Sequence, residues 1–148
     1  MFNNKNVVVL GLARSGVAAC KFLAKRNCNI IVNDMKEDYD SDVLSSLSDL
    51  GVKVILGSHP DNLINSDVDY LIKNPGVPID HKYVLKAKEL GIPVINEMEM
   101  AYLSIPKDKN IKIIAVTGSN GKTTTTTLVY NFLKKDNKKV ILAGNIGY

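Results

Sequence analysis

Short apolar runs alternate with segments whose apolar residues recur every three or four positions, and the alternation persists along the whole chain. Such runs fit strands buried on both faces, and the segments between them fit amphipathic helices. The pattern is that of a parallel sheet built from strand-helix-strand units. Residues 5–10 (KNVVVL) are the first strand. A helix from about Gly16 to Arg26 puts Val17, Cys20, Leu23 and Ala24 on one stripe, and Asn27 stands where a left-handed C-terminal cap forms. Residues 29–33 make a second strand that ends at Asp34. Val43, Leu44, Leu47 and Leu50 give 42–50 a helical stripe that Gly51 closes, and 52–56 is the third strand.

After a turn-rich stretch, residues 70–73 form a fourth strand, and Asn74-Pro75-Gly76-Val77-Pro78 then bars both helix and ladder. That segment is a loop at a strand's carboxyl end. Asp80 is placed to cap a helix running to Leu90, residues 94–96 are a fifth strand, and 97–103 a last short helix. In it Glu97 and Glu99 alternate with Met98 and Met100, read as exposed and buried faces. The lysine-rich stretch 104–110 is a linker, followed by a strand over 111–117, a helix over 123–135 and a strand over 139–143.

The expected architecture is therefore α/β, a Rossmann-like parallel five-stranded domain over 1–106 and the start of a second domain over 107–148. One strand-helix-strand unit cannot cover both faces of a parallel sheet, so the second part is expected to continue in a longer protein. Charge divides at the same seam: residues 1–106 hold 11 basic and 13 acidic side chains, net −2, and residues 107–148 hold 8 and 2, net +6.

Composition narrows the function classes. With 148 residues, 45% apolar and 23% charged, the chain is composed like a soluble globular protein, and its longest early apolar stretch, 7–13, is too short to span a bilayer. No basic leader precedes it, so a cytoplasmic protein without membrane insertion is expected. The basic residues are 17 Lys against 2 Arg, which disfavours nucleic-acid recognition. Cys20 and Cys28 are read as packed thiols, and His59 and His81, both in polar turns, as solvent-exposed.

Two glycine turns carry the candidate chemistry. Gly11-Leu12-Ala13-Arg14-Ser15-Gly16 lies between a strand and a helix, where backbone amides receive phosphate, yet Ala13 replaces the middle glycine of the dinucleotide fingerprint. Asp34, at the end of the second strand, is placed to accept from a ribose or base. The second turn, Thr117-Gly118-Ser119-Asn120-Gly121-Lys122-Thr123-Thr124, is a shortened phosphate-binding loop between a strand and a helix. In such a loop Lys meets phosphate oxygens and a hydroxyl holds Mg²⁺.

With this second turn, the first turn, the Lys73-Asn74-Pro75-Gly76-Val77-Pro78 segment and Gly144-Asn145-Ile146-Gly147, the chain resembles the Mur ligases, most of all those that add D-glutamate. The resemblance implies an ATP-dependent amide ligase of bacterial cell-wall synthesis, acting on UDP-N-acetylmuramoyl-L-alanine and D-glutamate through an acyl phosphate. It implies that residues 1–106 hold the UDP-sugar: Arg14 and Ser15 at the pyrophosphate, Asp34 and Lys36 near the uridine, Gly76 by close backbone approach, and Asn145 from the second domain. ATP would meet Gly118, Ser119, Asn120, Gly121, Lys122, Thr123 and Thr124, with Lys122 and Thr123 carrying the catalysis and Thr123 ligating Mg²⁺. A monomer is expected. The rival readings are another ligase of the same type, a nicotinamide-dependent oxidoreductase resting on the first turn, and a non-enzymatic nucleotide switch.

Overall fold

Four consecutive apolar residues, Val7, Val8, Val9 and Leu10, fit only between two apolar layers, and all four are buried in β1 (Asn6–Leu10). The computed structural model, which describes residues 1–144 and 146, places this strand at the centre of a five-stranded parallel sheet. To one side lie β2 (Asn29–Asp34) and β3 (Lys53–Leu56), and to the other β4 (Tyr70–Lys73) and β5 (Val94–Ile95), in the order β3-β2-β1-β4-β5. Val9 stands opposite Val32 on one neighbour and Ile72 on the other.

The chain first winds outward through α1 (Arg14–Ala24) and α2 (Ser41–Asp49) to β3. It then returns past β1 to β4, and α3 (Lys82–Glu89) carries it on to β5 and α4 (Glu97–Leu103). Right-handed crossovers running in opposite directions must lie on opposite faces of the sheet, and the packing follows that rule. Val7 and Val9 join one core with Ala19, Cys20 and Leu23 of α1, Leu47 of α2 and Met100 of α4. Val8 and Leu10 join the other with Tyr83, Val84 and Ala87 of α3. Each fully buried aliphatic side chain contributes about 1.5–3 kcal/mol.

Local signals act as expected at Asn27, whose φ of 55° ends the segment after α1. Cys20 is fully buried, which pushes its thiol pKa up to about 12, and Cys28 Sγ donates to the Phe2 carbonyl. Elsewhere the structure corrects the expectation. α1 begins at Arg14 rather than Gly16, because the turn before it is tight. α3 is capped by His81, not Asp80: His81 Nδ1 accepts the Tyr83 amide at 3.3 Å. Met98 is 61% exposed while Met100 is buried, since residues two apart on a helix point about 200° apart and cannot share a face.

Two compact units divide the chain, Met1–Pro106 and Lys107–Tyr148. In the second, the one regular element among the described residues is α5 (Lys122–Lys135). The strands expected over 111–117 and 139–143 are not formed. A parallel strand needs a ladder partner and cover on both faces, and here Ile111, Ile113, Ile114 and Ile141 are 54–90% exposed.

Neither histidine is the solvated residue its polar turn suggests, for His59 and His81 are both half-buried. Asn33, fully buried, gives both hydrogens of Nδ2 to the Ile55 and Ser58 carbonyls at 3.0 and 2.7 Å, so its Oδ1 accepts from His59 Nδ1. His81 uses Nδ1 as the acceptor that caps α3. Its hydrogen is therefore on Nε2 and is donated to His59 Nε2 at 3.3 Å. Both rings are neutral in this chain of bonds. A proton added at His59 Nε2 faces the His81 N–H, and one added at His81 Nδ1 faces the Tyr83 N–H.

Burial lowers the pKa of both imidazoles below 6.5. The Lys82 charge adds to this at His59 against Asp34, and His59 and Lys82 add to it at His81 against Asp80. The unfolded chain thus takes up protons that the folded unit refuses. This stability is complete above pH 6.5 and is lost as the pH falls through the depressed folded values. Urea denaturation over a pH series is expected to show unit stability declining as the pH falls below 6.5. The double variant His59→Gln, His81→Asn, which keeps a capping side chain, should flatten that slope.

A second expectation concerns the first glycine turn. A Cβ at Gly16 would lie 2.1 Å from the Gly11 carbonyl oxygen, whereas one at Gly51 meets nothing within 4 Å and is strained only by its φ of +71°. Gly16→Ala should cost about 2–3 kcal/mol or more in urea denaturation, and Gly51→Ala about 1 kcal/mol.

Candidate functional site

The strand order reverses direction between β1 and β4, and the crevice beyond their carboxyl ends is where open α/β sheets receive ligands. The first glycine turn leaves β1 there, and the Asn74 loop leaves β4 beside it. Gly11 adopts φ +100°, and a Cβ at this position would stand 2.8 Å from Asn74 Cβ. Its amide bonds the Asn33 carbonyl at 2.9 Å. Ala13 is the N-cap of α1 and offers no capping side chain, and the helix's first turn contains no acidic residue. The amides of Arg14, Ser15 and Gly16 have no backbone or side-chain acceptor among the described residues, which makes this turn suited to an anion.

Asp34 braces the turn. Its Oδ2 accepts the Leu12 amide at 2.7 Å and its Oδ1 the Lys36 amide at 2.9 Å. Burial pushes its pKa up, but the Leu12 and Lys36 amides, the Tyr39 hydroxyl and nearby His59 outweigh burial and hold the carboxyl below its usual range. The same contact, after burial, helps raise the Tyr39 hydroxyl to about 12. Asp34 therefore fixes the turn it was expected to serve only as a nucleotide contact, and with the two amides and the Tyr39 hydroxyl bonded its carboxylate keeps room for one further donor.

Lys36 lies beside it, its Nζ 5.0 Å from the Tyr39 ring centroid. Arg14 is exposed and Ser15 half-buried. Ser15 Oγ accepts from Asn74 Nδ2 at 3.0 Å, and Asn74 Oδ1 accepts the Gly76 amide at 3.0 Å. Gly76 thus spends its N–H within the loop. The first turn, Asp34, Lys36, Asn74 and Gly76 are gathered at one end of the sheet. Asn74 and Tyr39 are the residues that sequence reasoning missed. The available signal was Asn74 at the head of Asn-Pro-Gly, where an Asn side chain takes the amide two residues on.

The second glycine turn belongs to the other unit. Gly121 is the N-cap of α5 in the left-handed conformation, φ 75°, and no side chain caps the helix or places an acid in its first turn. Lys122 Nζ donates to the carbonyls of Gly118 and Ser119 at 2.6 and 3.0 Å, so the ammonium is folded over its own loop. Thr126 Oγ1 donates to the Lys122 carbonyl at 2.7 Å, which gives one hydroxyl of the threonine run a backbone partner. Gly118, Ser119, Asn120, Gly121, Thr123 and Thr124 are all exposed. Asn145 lies outside the described residues. Among the described residues no group of three or more His, Cys, Asp and Glu is placed to hold a metal.

Comparison with known proteins bears on both turns. The model of the Mur ligase MurD-like N-terminal domain matches residues 5–96, and that of the Mur ligase middle domain matches 116–147. A UDP-N-acetylmuramoylalanine–D-glutamate ligase of Streptococcus agalactiae is 48% identical over 147 residues, and one of Streptococcus uberis is 46% identical. In each case 99% of this chain is covered and 32% of the relative, so the chain spans about a third of the length of the curated relatives it matches. The fold is also similar to that of the UDP-N-acetylmuramate-alanine ligase MurC of Thermotoga maritima. There the TM-score is 0.57 and the identity 24%, over 90% of this chain and 30% of that one. SirC, a precorrin-2 dehydrogenase, shares the fold at a TM-score of 0.54 and 15% identity, over 93% of this chain and 69% of that one. The parallel sheet with its first glycine turn and the second unit with its own, matched by the family's models over 5–96 and 116–147, make this chain a member of the Mur ligase family with a MurD-like N-terminal domain.

Proposed function

We propose that this chain supplies the UDP-sugar site and the beginning of the ATP site of a ligase that joins D-glutamate to UDP-N-acetylmuramoyl-L-alanine. The observation that carries the reading is the uncapped turn at the switch point, where the free amides of Arg14, Ser15 and Gly16 stand beside a hydroxyl and Arg14. One pyrophosphate suits it. A UDP-sugar brings a pyrophosphate with only one nucleoside, so the departure from the dinucleotide fingerprint at Ala13 does not count against it. Residues 1–106 would hold the UDP-sugar and residues 107–148 would open the ATP-binding domain. Asp34 and Lys36 would face the uridine and Gly76 would line the loop.

The residues of the second turn fit a triphosphate. Gly121 opens α5 without a Cβ, no acid stands in its first turn, and Lys122 lies against the loop it would share with the phosphates. Gly118, Ser119, Asn120 and Thr124 would contribute amides and hydroxyls, and Thr123 would offer its hydroxyl to Mg²⁺. Bound there, ATP supplies the phosphoryl group that activates the L-alanyl carboxylate as an acyl phosphate, from which the D-glutamate amine displaces phosphate. What Lys122 contributes is positive charge at the transferring group, since positioning and charge stabilisation dominate such reactions. On this reading the reaction is cytoplasmic, the partners are its two substrates, and a monomer suffices. No helix among the described residues is long and apolar enough to cross a membrane.

Calorimetric titration separates this reading from the oxidoreductase one. The chain should bind UDP and not NADH, and NADH binding without UDP binding would overturn the proposal. Asp34→Asn should weaken UDP binding and cost about 1–3 kcal/mol of stability, because an amide NH₂ would then face the Leu12 or Lys36 N–H. In a protein of the relatives' full length, Lys122→Ala should lower the ligation rate by about 10²–10³ in a phosphate-release assay.

A further inference from the structure

Asn74 is the first residue after β4, and every polar group it carries is engaged. Its N–H continues the ladder to the Leu10 carbonyl at 2.9 Å, and its carbonyl accepts from the Val77 amide at 3.0 Å and Lys73 Nζ at 3.2 Å. Its Oδ1 accepts the Gly76 amide at 3.0 Å, which fixes how the side-chain amide is turned. The other end is the NH₂ group, which has only hydrogens to give, and it lies 3.0 Å from Ser15 Oγ. Ser15 must accept there.

A hydroxyl that accepts on one lone pair keeps its own hydrogen for another acceptor, and no bond donated by Ser15 Oγ is present among the described residues. A serine in a helix otherwise tends to turn that hydrogen back to a carbonyl three or four residues earlier. Here the bond from Nδ2 takes one of the positions the Ser15 hydroxyl hydrogen could occupy, and no donation to such a carbonyl is present among the described residues. The free amides of Arg14, Ser15 and Gly16 belong to the same turn. The arrangement depends on contact between two loops, because a Cβ on residue 11 would stand 2.8 Å from Asn74 Cβ.

We propose that Asn74 is a positioning residue for the anion site: by donating to Ser15 Oγ it makes the Ser15 hydroxyl a hydrogen donor to a phosphate oxygen of a nucleoside diphosphate. The proposal rests on the nucleotide reading of the first turn given above. A bond of this kind to a charged acceptor is worth about tenfold in affinity or more, and Asn74 acts on the ligand only through it.

Two measurements on the 148-residue chain test this. Calorimetric titration with UDP over a double-mutant cycle should show Ser15→Ala losing about tenfold in affinity and Asn74→Ala about three- to tenfold. In the Ser15→Ala background, Asn74→Ala should cost less than about twofold. Asn74→Asp, which keeps the acceptor for Gly76 and removes the donor, serves if Asn74→Ala fails to fold, and it should weaken UDP binding without loss of thermal stability. NMR of the ligand-free chain should show the Asn74 side-chain NH₂ resonances displaced by Ser15→Ala. Equal losses from Asn74→Ala in both backgrounds, or unmoved Asn74 resonances, would overturn the proposal. If the unaltered chain fails to bind UDP while those resonances still respond, the nucleotide reading falls and this proposal falls with it.

Discussion

The burial of β1 on both faces between two parallel neighbours is the constraint on which the rest of the first unit depends. Once Val7 to Leu10 are shut off from water, a crossover must cover each face, and right-handed connections can do so only by leaving in opposite directions. That divergence opens the crevice beyond β1 and β4. The same requirement brings the Gly11 turn and the Asn74 loop side by side, so the residues that would meet a ligand are gathered by the demands of the core.

Charge at this end of the sheet is arranged to hold backbone in place. Asp34 ties the Leu12 and Lys36 amides together across the end of β2, and its ionised form is favoured because donors outnumber the effect of burial. A few residues away the opposite choice is made. Asn33, His59, His81 and Tyr83 form a chain of bonds that works only while both rings are neutral. One strand end thus anchors both a carboxylate that must keep its charge and a pair of imidazoles that must not acquire one.

Strand positions were legible in the sequence because fully buried runs such as VVVL have few other places to go, and the cap at Asn27 because a left-handed residue favours Asn. What was not legible depended on partners distant in sequence. Asp34 reads as a ligand residue until Leu12, 22 positions earlier, is seen to donate to it. His59 and His81 read as solvated until the β3 and β4 loops meet. Met98 failed for a local reason, an alternating pattern carried over to a helix. The segments 111–117 and 139–143 failed for a non-local one: apolar β-branched runs become strands only where a ladder partner exists.

The glycine turn also limits which substitutions this chain can accept. A side chain gained at Gly11 collides with Asn74 of the neighbouring loop, and one gained at Gly16 collides with the Gly11 backbone. Leu12 is buried, and Ser15 is bonded across the crevice. Only Ala13 and Arg14 are exposed, which leaves them as the positions where substitution can alter what the turn recognises while the cradle itself stays in place.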